Sequence, residues 1–256
     1  MPAPEFNRRR ARGRLDRVYR RLTDHYGRPR WTRSGTALDC LILTVLSQNT
    51  NDRNSLAGFR KLKERFGDWA EVEAAPWRRV ASAIKVSGLS NVKSRRIKQI
   101  LKRVRKERGA HSLEELKRWD PERAIEYLRD FPGIGPKTAA CVLMFSFGKP
   151  VFPVDTHILR VSKRLALIPP KTSAEEAHHL LQSVTPDDRV YPLHLLLIRH
   201  GREICTARNP QCRPCVLLPT CPTGRERTQK SEAPDPASPG KDKAWSMWDE
   251  LQEDKA

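Results

Sequence analysis

Acidic residues are in short supply. Against 49 lysines and arginines the 256-residue chain carries 30 aspartates and glutamates, a formal net charge of +19. That excess is larger than solubility requires and implies a polyanionic partner, most simply nucleic acid. Cysteine is also scarce: there are six, four of them close together near one end, which argues against a disulfide scaffold. No stretch approaches the roughly 18 apolar residues of a membrane-spanning helix. Met1 to Arg14 has no apolar core after its arginines and so does not read as a secretory leader. Period-2 alternation is nowhere sustained, and no repeat of solenoid period is present. A soluble, intracellular, basic protein is expected, long enough for one large domain or two modest ones.

The charge is unevenly spread. Residues 1–22 hold eight arginines against Glu5 and Asp16. Residues 222–256 hold six basic and eight acidic side chains with four prolines, and this segment reads as a disordered tail. The remaining body keeps 43 basic and 22 acidic residues, a net +21.

That body reads as all-α. An apolar run from Leu38 to Leu46 ends at Ser47-Gln48-Asn49-Thr50. Asp52 is the expected N-cap of a helix with Leu56, Phe59, Leu62 and Phe66 on one face, closed by Gly67. A short helix around Trp77 to Ile84 is expected to stop at Gly88. Residues 91–107 set Val92, Ile97, Ile100, Leu101 and Val104 among lysines and arginines. Further helices are expected around 112–119, 121–131, 137–147, 155–166, 173–184 and 191–200.

Two stretches carry chemistry. Cys205, Cys212, Cys215 and Cys221 follow the spacing C-x6-C-x2-C-x5-C. Four thiolates this close suit either a tetrahedral zinc or a cubane iron–sulfur cluster, and the spacing leans toward the latter. Cys40 and Cys141 lie alone in apolar segments and read as core. The second stretch is Leu128-Arg-Asp-Phe-Pro-Gly-Ile-Gly-Pro-Lys-Thr-Ala-Ala140. Pro132-Gly133-Ile134-Gly135 joins two helices, and its glycines allow close backbone approach while its amides open the second helix. Such amides hold phosphate without reading sequence, which makes this a helix–hairpin–helix DNA clamp.

That hairpin, the later Phe152-Pro-Val-Asp155-Thr-His157, and His200-Gly-Arg-Glu-Ile-Cys205 with its three following cysteines resemble endonuclease III. The resemblance spans about residues 30–221 with the motifs in the same order. It implies a DNA glycosylase with abasic-site lyase activity. The implied fold is a six-helix barrel over 37–149, with segments 1–36 and 150–221 forming a [4Fe–4S] cluster domain and the DNA groove between the two. It favours iron–sulfur over zinc at the four cysteines. The implied partner is double-stranded DNA holding damaged bases or abasic sites, met by a monomer with no membrane role. The implied location is cytoplasmic, nucleoid-associated in a bacterium.

The same resemblance assigns Lys137 as nucleophile and Asp155 as catalytic aspartate. The chemistry needs both types: an amine at C1′ of the deoxyribose expels the base and leaves a Schiff base, which water or an alcohol cannot form. Lysine must be neutral to attack, and its ordinary pKa of about 10.4 leaves little of that form at pH 7. The dipole of the helix it opens disfavours the charge by about 0.3–1 kcal/mol, too little alone, so desolvation or a base such as Asp155 is required. Local sequence also suits Asp155 as a plain helix N-cap.

A glycosylase extrudes its target nucleotide and fills the gap. The resemblance gives one wedge to the loop Leu46-Ser-Gln-Asn-Thr-Asn-Asp52, with Asn49 where the family's inserting glutamine falls and Gln48 the alternative, able to serve through a small loop shift. Leu89 is the second wedge. Gly133, Ile134, Gly135 and Thr138 complete the expected DNA contacts. An adenine-mismatch glycosylase, the nearest rival, has a catalytic glutamate on the first barrel helix where this chain has Thr44, and lacks the nucleophilic lysine. A monofunctional uracil or mismatch glycosylase has no need of Lys137. A non-catalytic iron–sulfur DNA-binding protein binds without cutting.

Overall fold

A computed structural model describes residues 6–33 and 35–230. These residues are helical throughout their ordered elements, with no strand among them. The first helix, α1 (Arg8–Tyr26), is capped by the Asn7 side chain, which accepts from Arg10 N at 2.9 Å. Leu15, Val18, Tyr19 and Leu22 recur at helical spacing and are buried, leaving most of its arginines in solvent. The basic N-terminal segment is therefore an amphipathic helix, a signal present in its apolar spacing.

Two compact units follow from the contacts. One is Thr32–Val151. It holds α2 (Ala37–Ser47), α3 (Asp52–Arg65), α4 (Trp69–Ala74), α5 (Trp77–Ala83), α6 (Ser90–Arg108), α7 (Pro121–Arg129) and α8 (Pro136–Phe147). That is one helix beyond the six expected, the addition being the short α4. Helices α2 and α8 pack on each other and are apolar on nearly every side, so both lie in the core. α3 and α6 pack on α2, α7 packs on α8, and α4 and α5 pack on α6. Cys40 and Cys141 are buried at the heart of this unit.

Local chemistry sets the ends. Thr36 and Asp39 form a reciprocal capping box at α2. Asn51, and not Asp52, caps α3 by accepting from Asn54 N at 2.8 Å; Asp52 is instead its first residue, where a carboxylate suits the dipole. The α3 helix stops at Phe66, one residue before the expected Gly67. After α5 a short 3-10 turn, Lys85–Ser87, carries the chain to Gly88, whose φ of +69° provides the expected stop. Residues 114–118 form a 3-10 turn, not an α-helix.

The other unit joins α1 to residues 152–230. It contains α9 (Thr156–Arg164), α10 (Ala174–Val184), α11 (Asp187–Glu203) and α12 (Pro222–Lys230). α1 packs on α10 and α11, and α9 packs on α11 and α12. The buried side of α11 runs from Val190 to Gly201 and accommodates Pro192 within the helix. The expected disordered tail is corrected at its start. Pro222–Lys230 is a helix, and Gly224 within it is buried: a Cβ there would stand 3.3 Å from Cys221 Sγ and from Leu218 Cδ1. Composition missed this because the helix is almost wholly polar and its packing rests on one glycine. The remainder of the predicted tail, 231–256, including Trp245, Trp248 and Leu251, lies outside the described residues.

Candidate active site and cysteine pocket

The hairpin is built between α7 and α8. After Arg129 the chain turns through Phe131 to Gly135, with Ile134 N donating to Phe131 O at 3.1 Å. Gly133 has φ +77°, a conformation that favours glycine, and the Arg96 guanidinium packs close over it, 2.8 Å from where a Cβ would stand. Gly135 is the N-cap of α8 and brings no capping side chain, while Pro136 occupies the first turn. The start of α8 therefore has no side-chain cap on its first amides. Ile134 and Thr138, expected to touch DNA, have buried side chains, so what they offer a ligand is backbone. Lys137 is half-buried in the first turn of α8, close enough to the buried Cys40 to act on it electrostatically. Burial raises the Cys40 thiol well above its usual range and keeps it neutral.

The two wedge candidates in the first loop have different fates. Gln48 closes α2, donates through Nε2 to Gly133 O at 2.9 Å, and accepts from Arg96 Nη1 at 3.2 Å. It fastens the loop to the hairpin. Asn49 adopts φ +54° and is exposed. Leu89 also sits in the left-handed region, at φ +47°, and is 55% exposed, which an apolar side chain at a helix start does not need for packing. Thr44, at the position of the rival's glutamate, is buried and donates to Cys40 O at 2.8 Å.

One residue at the site escaped sequence reasoning. Lys93 is buried to 1% exposure, and its Nζ donates to Leu46 O at 2.7 Å and Ser87 O at 2.6 Å. Burial lowers its pKa to about 8. The signal was there, since Lys93 precedes Ile97 by four and shares the apolar face of α6 with Ile100, Leu101 and Val104.

In the other unit Asp155 is the N-cap of α9, its Oδ1 accepting from Ile158 N at 2.7 Å. The capping reading is therefore correct as far as it goes. The half-buried carboxylate also acts electrostatically on His157 and Arg160.

Cys205, Cys212, Cys215 and Cys221 line one apolar pocket with Arg164, Leu165, His200 and Leu217. Several donors point at sulfur: Arg164 Nη1 reaches Cys205 Sγ at 3.3 Å, Leu217 N reaches Cys215 Sγ at 3.4 Å, and Gly224 N reaches Cys221 Sγ at 3.2 Å. Among the described residues no three His, Cys, Asp or Glu side chains converge as one metal ion requires. Four thiols lining one apolar pocket and met by N–H donors are a donor set suited to an iron–sulfur cluster. Burial holds the Cys215 thiol up at about 12, so the pocket favours thiolates only when a cation compensates them.

Residues 42–187 match the family model described as HhH-GPD superfamily base excision DNA repair protein, where HhH is the helix–hairpin–helix. The chain belongs to that superfamily, and within it to an endonuclease III-like family. It is 35% identical to endonuclease III of Thermotoga maritima over 187 residues, 73% of this chain and 83% of the relative. It is 38% identical over 188 residues to a protein of Arabidopsis thaliana named as a DNA glycosylase; that match is 73% of this chain and spans 62% of the plant protein's length. Among solved structures, a non-covalent endonuclease III–DNA complex superposes with a TM-score of 0.74 at 26% identity, covering 85% of this chain and 98% of that one. A trapped covalent endonuclease III–DNA intermediate gives 0.73 at 27% identity, with coverage of 85% and 98%. No described helix is long and apolar enough to cross a membrane.

Proposed function

We propose that this base excision repair enzyme is a bifunctional DNA glycosylase and abasic-site lyase, acting as a monomer on double-stranded DNA and removing oxidised pyrimidines. The observation that carries the reading is Lys137, half-buried in the first turn of α8 directly after an uncapped glycine hairpin. Phosphate held by hairpin amides brings a sugar to that lysine. Neutral Lys137 Nζ bonds to C1′ as the glycosidic bond breaks, and the electron pair leaves with the base, which takes up a proton. The sugar ring then opens as the C1′–O4′ bond breaks: O4′ takes up a proton and leaves as a hydroxyl, and C1′ is left as a protonated Schiff base with the lysine nitrogen. Loss of a C2′ proton expels the 3′ phosphate by β-elimination, and water returns the free lysine. Asp155 serves as the carboxylate that accepts the lysine proton or offsets positive charge on the sugar. Its cap to Ile158 N fixes one oxygen and so orients the group.

Asn49 and Leu89 are the side chains suited to fill the space left by an extruded nucleotide, since both are exposed at left-handed loop positions. Gln48 holds its loop against the hairpin. Cys205, Cys212, Cys215 and Cys221 are the residues suited to a [4Fe–4S] cluster, which when bound cross-links a segment with few apolar residues and has no part in the steps above. Borohydride added during reaction with abasic DNA traps a protein–DNA adduct on this reading. Lys137→Gln removes the adduct while leaving DNA binding largely intact; undiminished trapping in that variant returns Lys137 to a surface role.

A further inference from the structure

We propose that Lys93 is a positioning residue whose buried ammonium ties the two DNA-probing loops to one point of α6, so that Asn49 and Leu89 meet the duplex in fixed register. The proposal rests on the wedge reading given above. Lys93 Nζ donates at 2.7 Å to the carbonyl of Leu46, in the last turn of α2, and at 2.6 Å to that of Ser87, which closes the turn before Gly88 and Leu89. The first carbonyl starts the loop that carries Asn49; the second belongs to the peptide bond that joins Ser87 to Gly88, one residue before Leu89. Carbonyls at helix ends lack a partner within the helix and attract positive charge. A buried lysine is costly where a methionine would pack as well, so its two acceptors are what make the cation worth keeping.

The surroundings fix the same point from other sides. One turn along α6, Arg96 packs on Gly133 and donates to Gln48. Ser87 Oγ donates to Asn54 O at 3.2 Å, and Gly58 on α3 leaves the room that Ser87 needs. Both loops and the hairpin are thereby referred to the first two turns of α6. Leu89 and Asn49 hold unfavourable left-handed conformations, which persist only where neighbours over-determine them.

The test is Lys93→Met in the full chain with its cluster, read by amide hydrogen exchange without DNA and by single-turnover excision. Exchange in segments 46–50 and 86–90 should rise together, by about tenfold or more, while the rest of α6 keeps its protection. Excision should slow by about tenfold or more with affinity for abasic DNA changed less than about threefold, because binding rests on phosphate contacts and extrusion on the wedges. A rise in one loop only, or in neither, overturns the proposal, as does unchanged excision with both loops loosened. If the methionine variant does not fold, nitrogen-15 lysine spectra of the wild type decide. A Lys93 ammonium exchanging with water far more slowly than surface lysines supports the tie; one exchanging as fast as they do overturns it. Asn49→Ala and Leu89→Ala separate the two readings, since full excision in both sinks the wedge assignment while the exchange data still judge Lys93.

Discussion

Asp155 caps α9, and substitutions can separate that observed role from the catalytic one proposed for it. Asn at this position still caps α9 through its side-chain oxygen but carries no charge. Asp155→Asn should therefore keep its melting temperature and DNA affinity and lose most base excision. Asp155→Ala removes the cap as well and should cost a further 0.5–2 kcal/mol, about the usual value of a lost N-cap. Full excision in the asparagine variant would leave Asp155 a cap alone. Lys93 makes a pH prediction at the same scale. Its pKa in the folded chain, about 8, lies below the ordinary 10.5, so the folded state binds fewer protons than the unfolded between those values. Stability contributed by this group therefore rises with pH across that window. The difference in unfolding free energy between wild type and Lys93→Met should shift in favour of wild type from pH 8 to 10.5. A flat difference would mean that Lys93 titrates normally.

At the scale of elements, two glycines sit where helices pack closely. A Cβ on Gly58 of α3 would stand 2.0 Å from Ser87 Oγ, inside any tolerable contact. Gly58→Ala should destabilise by about 1–3 kcal/mol, the cost of overpacking, and move the Ser87 turn; denaturant unfolding measures the first and hydrogen exchange the second. Gly224 brings α12 against Cys221 and Leu218, and Thr223, Gly224 and Arg227 of that helix line the cysteine pocket. Truncation after Lys230 should leave abasic-site cleavage within a few-fold. Truncation after Cys221 removes that wall of the pocket and should lower iron content and visible absorbance of the purified protein. Equal iron in the two truncations would show that α12 does not guard the pocket.

For the molecule as a whole, the +21 of residues 1–221 predicts steep salt dependence of binding. Each phosphate neutralised releases counterions, so the logarithm of affinity should fall linearly with the logarithm of salt concentration, with a slope near −0.9 per contact. Lys137→Gln should leave that slope nearly unchanged, since one contact among many is lost at most. A slope close to zero for the wild type would detach the charge from DNA binding.

What the sequence determined by itself was local or motif-borne. Helical spacing of apolar residues, the cap at Asp155, the stop at Gly88, the glycine hairpin before Lys137 and the four-cysteine spacing are all written in near neighbours, where a few residues settle backbone geometry. The α1 helix was equally legible in Leu15, Val18, Tyr19 and Leu22, but its arginines drew the reading toward charge. Tertiary structure decided which of two adjacent polar side chains faces out. Gln48 finds the Gly133 carbonyl 85 residues away and Asn49 does not, a distinction that no local pattern contains. It likewise turned Lys93 from one basic residue among nine into a buried tie between two loops. It made a helix of Pro222–Lys230, whose own composition is that of a solvated strand of chain. In each case the deciding partner is remote in sequence, and burial of a polar group is worth its cost only once that partner is in place.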